Sequence, residues 1–293
     1  MKKLRVVLFV ILVAVTLSFL ANLLIGKSFK GFKVASKPKV GVVKVYGVIR
    51  SSDRYLKLLD RVEKDKSVKA VVLRVDSPGG VVGACQEIYD KIEKLKRKKP
   101  VVVSMGSVAA SGGLYISVPA TKIVANPGTI TGSIGVIIQT YNVRKLAEKI
   151  GVEVITVKSG RFKDLLNPFK EPDPEALKIL QQLIDDSYRQ FVEAVARGRN
   201  LPVNEVKKFA DGRIFTGRQA KELGLVDELG NIERAVEIAK ELAKCPRCEV
   251  KEVKEKRNLL EVIAGEESTG TLKTLLKAAR GDVEEINLMY LLK

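Results

Sequence analysis

The stretch AVVLRVDSPGG, residues 70–80, decides the fold. Apart from Arg74, the run Ala70–Val75 is apolar and rich in valine, which is typical of a strand buried on both faces. Asp76–Gly80 then provides turn residues, and residues 84–96 follow with the apolar spacing of an amphipathic helix. A buried strand that passes through a glycine-rich turn into a helix is the repeating unit of a parallel α/β sheet.

The same alternation continues on both sides of this unit and predicts an α/β fold, a parallel sheet with flanking helices. The clearest helix is Pro174–Arg197, with Asp173 as its N-cap and Gly198 as its end. We also predict a helix over Tyr55–Glu63. The other predicted strands are Val40–Tyr46, Pro100–Ser104, Ile123–Val124, Ile134–Ile138 and Val152–Val157.

A membrane anchor is predicted near the N-terminus. Residues 1–5 form a short basic tail, and residues 6–26 carry no charge. About 20 apolar residues in a helix span about 30 Å, the thickness of a bilayer core. Signal-peptide cleavage after Ala21 would need a small residue where Phe19 stands, so we favour an uncleaved anchor. Residues 27–39 form a basic linker, and because cations flank the anchor on both sides, the positive-inside rule does not decide its orientation.

The composition excludes several chemistries. The chain has 293 residues and no histidine, so a Ser-His-Asp triad and histidine-ligated zinc are impossible within one chain. We expect no metal and no cofactor. The formal net charge of +18 indicates either an anionic partner or a lysine-rich solvated surface. Because aromatic residues make up only 5% and tryptophan is absent, we expect no nucleic acid and favour phospholipid headgroups as the anionic partner.

Three cysteines are present, Cys85, Cys245 and Cys248. The last two form a C-x-x-C pair, which is compatible with a local disulfide if this region lies outside the cytoplasm. Zinc binding would need a further carboxylate ligand or a second chain, and redox catalysis would need a thioredoxin-like βαβ context that does not precede the pair.

A first candidate site is the glycine- and alanine-rich segment Ser104–Tyr115. It follows a predicted strand and places Ser111 at the start of a predicted helix. Free backbone N–H groups and the positive end of the helix dipole can stabilise an oxyanion there. Taken alone, the segment is better explained as a glycine-rich turn in which the serine is an N-cap.

The turn Asp76–Gly80 is a second candidate. The N–H of Gly80, paired with that of Gly112, would complete an oxyanion hole with two donors. The residues around it, Gly79, Val81 and Val82, can bind an extended peptide by strand addition. The simpler interpretation is again a strand-to-helix turn.

The basic cluster Lys158–Asp164 contains the candidate base. Without histidine, the remaining practical base for a serine is a lysine in surroundings that disfavour its ammonium form. Burial acts in that direction, and so does a neighbouring cation such as Arg161. Taken alone, the cluster is better explained as a basic loop that faces solvent.

Together these segments resemble the motifs of the signal peptide peptidase A family, in its short form with one catalytic domain. The resemblance covers roughly residues 40–235, with the motifs in the same order. The segments that carry it are Asp76–Gly80, Ala110–Gly113, Ile130–Val136, Ser159–Asp164, Asp211–Ala220 and Gly224–Asp227.

The resemblance implies a role for each matching residue. Ser111 takes the place of the nucleophile, and Lys163 takes that of the general base. Ser133 matches the serine that hydrogen-bonds the lysine and holds its orientation. Gly80 and Gly112 match the backbone donors of the oxyanion hole.

The resemblance also implies a crotonase-like fold shared with Clp proteases, and a homo-oligomer in which Ser111 of one chain meets Lys163 of its neighbour. The implied substrates are remnant signal peptides and some misfolded chains. We therefore expect a single-pass membrane serine endopeptidase with an extracytoplasmic catalytic domain, residues 40–245. Residues 246–293 form a partly flexible extension, and we expect its segment Leu288–Leu292 to enter the groove as an extended peptide.

Three other functions remain open at this point. A related Ser–Lys protease that cleaves a stomatin-like membrane partner would share the same chemistry. A crotonase-like acyl-CoA enzyme is disfavoured, because the glycine turns carry no evident carboxylate acid or base and a membrane anchor is out of place. A non-catalytic membrane scaffold could keep the fold without the activity.

Overall fold

The computed structural model describes residues 12–18, 36–255 and 289–291. The chain divides into two compact units, residues 1–37 and residues 38–293. In the first unit, residues 12–18 are helical and their side chains are exposed. The rest of the predicted anchor 6–26, the tail 1–5 and most of the linker 27–39 lie outside the described residues. Among the residues that are described, no helix combines the length and apolarity needed to cross a bilayer.

The second unit is an α/β domain. Its strands are β1 (Lys39–Tyr46), β2 (Val68–Ser77), β3 (Gly79–Val81), β4 (Val101–Ala110), β5 (Lys122–Ala125), β6 (Ile130–Gly132), β7 (Ile214–Thr216), β8 (Glu228–Leu229), β9 (Glu249–Glu252) and β10 (Met289–Leu291). Its helices are α1 (Asp53–Lys64), α2 (Val82–Lys96), α3 (Gly112–Ser117), α4 (Arg144–Lys149), α5 (Pro174–Arg199), α6 (Val203–Lys207), α7 (Gly217–Glu222) and α8 (Ile232–Leu242).

The main sheet has eight strands, and its central path runs β7–β6–β4–β2–β1–β9. Every pair on this path is parallel except β6 with β7, which is antiparallel. One edge of β4 serves two strands, because β5 pairs with its first half and β6 with its last residues. The parallel sheet predicted from the strand–helix alternation is confirmed.

The central strand β2 is buried on both faces, as the apolar residues on both sides of Arg74 predict. Val71, Leu73 and Val75 belong to the larger core cluster, which also contains residues of α1, α2, α3 and α5. Ala70 and Val72 belong to a smaller cluster that contains residues of α8. Successive side chains of a strand point to opposite faces, so helices cover the sheet on both sides.

Two predicted strands are not strands in the structure. The position beside the end of β4 is taken by Ile130–Gly132 instead of Ile134–Ile138, and the chain leaves the sheet at Ser133, where φ is 52°. Residues 152–157 have the composition of a strand, but no described strand pairs with them. Ile155 and Val157 are 83% and 96% exposed.

The long helix α5 begins as predicted, with the Asp173 side chain accepting a hydrogen bond from a backbone N–H of the first turn. The predicted end at Gly198 is wrong, because the helix continues to a left-handed cap at Asn200. Gly198 is needed for packing inside the helix, since a Cβ on it would lie 2.4 Å from the carbonyl oxygen of Val118.

The last part of the domain also joins the sheet. Strand β9, which lies beyond residue 245, pairs with β1. Cys245 and Cys248 form a disulfide between the end of α8 and the start of β9. Cys85 is a buried free thiol.

Candidate active site

Ser111 occupies a sharp turn between β4 and α3. Its φ of 53° lies in the left-handed region, which costs a residue with a side chain about 1–3 kcal/mol. Two hydrogen bonds hold the turn, from Ser111 N to the Gly132 carbonyl and from Tyr115 N to the Ser111 carbonyl, both 2.8 Å. A strained strand-to-helix turn of this kind presents the nucleophilic serine in α/β-hydrolases.

The Ser111 side chain is buried but lacks a partner. The residue is 1% exposed, and within the described part of the chain its Oγ makes no hydrogen bond. A buried hydroxyl without a partner is unusual, because most buried polar atoms are hydrogen-bonded. Within the part of the chain that the structure describes, no hydrogen bond therefore restrains this hydroxyl.

Strand β3 is hydrogen-bonded to Ile49 on one side, and the N–H of Gly80 points to its other side. Ile49 N donates to the Gly79 carbonyl, and Val81 N donates to the Ile49 carbonyl, both at 2.8 Å. The carbonyl and N–H of a trans peptide point in opposite directions, and the described chain has no cis peptide bond. The peptide between Gly79 and Gly80 therefore directs the Gly80 N–H to the free side of β3.

Gly112 approaches this donor closely. A Cβ on Gly112 would lie 2.9 Å from Gly80 N and 2.7 Å from the Cys85 sulfur, so no side chain fits there. As the first residue of α3, Gly112 has an N–H without an acceptor inside the helix. The fold thus brings together the two backbone donors predicted from the sequence, next to Ser111.

The C-terminal strand β10 lies along the free side of β3. It runs antiparallel, with Met289 opposite Val81, Tyr290 opposite Gly80 and Leu291 opposite Gly79. Because the N–H and carbonyl of Gly80 both point towards this side, Gly80 and Tyr290 form a hydrogen-bonded pair of the ladder. This places the Tyr290 carbonyl at the Gly80 N–H. The expectation that the tail segment lies extended in the groove is confirmed for these three residues.

Ser133 lies at the same end of the sheet. It directly follows Gly132, whose carbonyl binds the Ser111 N–H, and its own N–H donates to the Arg213 carbonyl at 2.8 Å. Beside Ser133 is a pocket of about 530 Å³, whose apolar walls include Val136, Ile184 and Tyr188.

Two protein-family models match the chain over overlapping ranges. The model of peptidase family S49 matches residues 93–246, and that of Clp protease matches residues 48–130. The chain belongs to peptidase family S49. A provisionally named protease of Synechocystis sp. is 52% identical over 214 residues, which cover 72% of this chain and 77% of the relative.

Two further relatives cover similar lengths. A provisionally named protease of Methanocaldococcus jannaschii is 37% identical over 269 residues, 86% of each chain. A protein of Enterococcus faecium, provisionally named signal peptide peptidase SppA, is 40% identical over 234 residues, which cover 75% of this chain and 68% of the relative. The protein is therefore a serine peptidase of family S49, which disfavours the acyl-CoA alternative.

The S49 peptidase does not bring Lys163 to Ser111 within one chain. Lys163 is exposed, and its backbone N–H donates to Gly160 at 3.2 Å. Among the described residues, neither Ser111 Oγ nor any carboxylate pairs with its amine. Arg161, expected to act on this lysine as a neighbouring cation, is paired with Asp173 and Glu175, which offset its charge.

A positioning residue escaped the sequence analysis. Val75 of β2 pairs with Met105 of β4, and the next pair is Ser77 with Ala109. Between these pairs β4 has two more residues than β2, so β4 forms a bulge. The Asp76 carboxylate holds this bulge by accepting a hydrogen bond from Val108 N at 3.0 Å.

Two threonines clamp the bulge from the other edge of β4. Thr129 Oγ1 donates to the Gly106 carbonyl at 2.7 Å, and Thr131 Oγ1 donates to the Ala109 carbonyl at 2.6 Å. Since Ser111 directly follows the bulged strand, its position depends on these contacts. The only signal in the sequence was an acidic residue at the start of the Asp76–Gly80 turn.

We predict that Asp76→Ala lowers kcat strongly. Without its acceptor the bulge relaxes, and a displacement of about 1 Å at a catalytic group can cost about 10²-fold in rate. Asp76→Asn keeps an oxygen acceptor of the same shape and should retain most of the activity. Peptide hydrolysis and thermal unfolding should be measured for both variants. Equal activity of Asp76→Ala and wild type would remove the positioning role.

Proposed function

We propose that this S49 peptidase is a membrane-anchored serine endopeptidase that hydrolyses remnant signal peptides and misfolded chains, with Ser111 as nucleophile and Lys163 as general base. One observation carries the proposal. A buried, unpartnered serine hydroxyl on a strained turn lies beside two backbone donors, and an extended strand of the chain lies across them.

The chemistry follows from these positions. Ser111 Oγ attacks the carbonyl carbon of the scissile bond while the Lys163 amine takes its proton. The N–H groups of Gly80 and Gly112 bind the oxyanion that forms. Lys163 then gives the proton to the departing amine, which leaves an acyl ester on Ser111. A water molecule, deprotonated by the same lysine, hydrolyses the ester and restores the free hydroxyl.

The base comes from a second copy of the chain. Among the described residues of one chain, Ser111 Oγ has no partner and Lys163 is exposed, so these residues alone do not complete the site. The segment before the lysine also carries exposed apolar side chains, including Val154, Ile155 and Val157. Apolar surface of this kind is typical of an interface. An oligomer in which this loop covers a neighbour would bury these side chains and deliver the base together.

Ser133 has a positioning role in this arrangement. Ser133 lines the pocket of about 530 Å³, and only 8% of its surface is exposed. A lysine that enters there from a neighbouring chain would meet a hydroxyl able to accept a hydrogen bond from its amine.

The enzyme's own tail is its first substrate. The Tyr290 carbonyl faces the Gly80 N–H, so the bond after Tyr290 is the one presented to Ser111. Recognition by β3 uses the peptide backbone, which explains how one groove can accept many sequences in extended form. The same property suits signal peptides and misfolded chains better than folded proteins.

The membrane location rests on the apolar stretch 6–26 and on the disulfide. The stretch has the length of a bilayer span, and the Cys245–Cys248 disulfide is typical of a domain outside the cytoplasm. We infer a single-pass protein with an extracytoplasmic catalytic domain, whose lysine-rich surface attracts anionic lipid headgroups. Cleavage of a stomatin-like membrane partner is the alternative, since backbone recognition would admit such a segment too.

Tail trimming tests the nucleophile. We expect intact-mass spectrometry of the wild type after incubation to show loss of residues 291–293. Ser111→Ala should retain the full tail, because no acyl ester can form. Lys145→Ala, which changes an exposed lysine of α4, should trim like the wild type. Identical full-length masses for the wild type and Ser111→Ala would contradict the assignment.

Subunit complementation tests the shared base. Ser111→Ala and Lys163→Ala should each be inactive, whereas a mixture that exchanges subunits should recover about a quarter of the wild-type activity. In such a mixture, one boundary in about four pairs an intact serine with an intact lysine. As a control, Ser111→Ala mixed with the double variant Ser111→Ala/Lys163→Ala should stay inactive. Demonstrated exchange without recovered activity would place the pair within one chain.

The substrate class is tested by direct competition. We expect the full-length enzyme in detergent to cleave synthetic signal peptides with a higher kcat/KM than the C-terminal segment of a stomatin-like protein. Chromatography of the products gives both values, and Ser111→Ala measures the background. A preference for the stomatin segment would overturn the signal-peptide proposal in favour of the alternative.

A further inference from the structure

A second pocket, of about 560 Å³, lies where β3 passes into α2. One wall is formed by Val81, Val82, Gly83 and Gln86, and the other by one face of α5. The α5 residues are Leu183, Asp186, Ser187 and Gln190. The proposed chemistry at Ser111 leaves this pocket without a role.

The pocket lies upstream of the scissile bond. A peptide on β3 runs antiparallel to it. The peptide residue before the scissile bond has its carbonyl at Gly80, and the residue that precedes it in the peptide lies opposite Val81. The next residues of a substrate, towards its N-terminus, therefore pass alongside Val82 and Gly83. These two residues line the pocket. The third and fourth substrate residues, counted back from the scissile bond, are the ones that can place a side chain in it.

The pocket contains a connected row of polar side chains. Gln86 Nε2 donates to Gln190 Oε1 at 2.8 Å, and Gln190 Nε2 donates to Asp186 Oδ2 at 2.7 Å. Arg189 donates to the other carboxylate oxygen of Asp186 at 2.8 Å. A carboxylate has about four acceptor positions, so Asp186 keeps capacity for a further donor.

This row is fixed to the core. The side chains of Gln86 and Tyr115 are hydrogen-bonded, and burial raises the pKa of Tyr115 to about 12. The Tyr115 ring packs between those of Tyr89 and Phe191, with centroids 5.2 and 5.1 Å away. Tyr115 belongs to α3, the helix that starts after Ser111. The pocket is therefore held in a fixed position relative to the nucleophile.

Asp186 is the charged group of this row. Its hydrogen bonds from Arg189 and Gln190 hold its pKa below the usual range, so it is ionised at neutral pH. Leu183 and Val81 provide apolar surface along which the methylene groups of a long side chain can lie. An acceptor at the end of an apolar wall matches a lysine or arginine side chain.

We infer that this pocket is a substrate subsite that binds a lysine or arginine side chain three or four residues before the scissile bond, with Asp186 as the acceptor. The inference rests on the proposed peptidase function and on the register of β10. Asp186 is exposed and already paired with Arg189, so the preference is modest, about twofold to fivefold in kcat/KM. Because the contact is remote from the reacting bond, it acts mainly on KM.

The test uses matched peptides that carry either lysine or norleucine at the third or fourth position before one scissile bond. We expect the full-length wild type to prefer the lysine peptide about twofold to fivefold at one of the two positions. Asp186→Asn has the same shape without the charge and should reduce this ratio to about one. Glu193→Gln removes an exposed charge from the same helix and should keep the preference.

The outcomes separate the subsite from the underlying activity. Cleavage of the norleucine peptide by wild type, absent in Ser111→Ala, confirms the peptidase independently of the pocket. If both peptides are cleaved equally well, or if Asp186→Asn keeps the preference, the subsite is overturned while the peptidase stands. If Glu193→Gln loses the preference as fully as Asp186→Asn, the preference comes from the general negative charge of α5 and the proposed contact with Asp186 is overturned. If neither peptide is cleaved by wild type, the proposed function itself fails.

Discussion

The hydrogen bond from Ser111 N to the Gly132 carbonyl holds a side-chain-bearing residue in the left-handed region of backbone space. Without this bond and the bond from Tyr115 N to the Ser111 carbonyl, the turn would relax. The relaxation would release about 1–3 kcal/mol of backbone strain. The turn ends β4, starts α3 and aims the serine hydroxyl at the groove. It also brings Gly112 beside Gly80, so that the proposed nucleophile and both proposed oxyanion donors depend on one local geometry.

The parallel sheet makes that geometry possible. Strand β4 bulges between its pairings with β5 and β6, and the bulge is held by Asp76 of β2 on one side and by Thr129 and Thr131 on the other. The strained backbone at Ser111 thus follows a strand that is supported by hydrogen bonds from both sides. Such support is general for strained functional residues, which persist where their surroundings over-determine them.

The described residues of one chain place Gly80 and Gly112 beside Ser111 and lay the C-terminal strand on β3. In the same residues, Lys163 is exposed on a loop with exposed apolar side chains. If the base arrives from a neighbour, activity is coupled to assembly, and an isolated chain would not hydrolyse peptides before it reaches its partners. If the proposed subsite holds, the row from Gln86 to Asp186 adds selectivity for side chains to a groove that otherwise binds backbone.

The sequence by itself determined the parallel α/β architecture, because buried strands such as Ala70–Val75 are largely apolar and are followed by glycine turns. It also excluded a histidine-based mechanism and, by family resemblance, indicated Ser111, Gly80, Gly112 and Ser133, which the fold brings to one end of the sheet. These features are local, or follow from motifs whose residues are close in the chain.

Only the tertiary structure decided the features that join distant segments. Residues 152–157 have strand composition but form none, because a strand needs a partner and no described strand supplies one. The support of the β4 bulge by Asp76, the register of Tyr290 on Gly80, and the row from Gln86 to Asp186 each link residues far apart in the chain. Side-chain type and spacing do not specify such contacts, since they depend on which elements the packed core brings together.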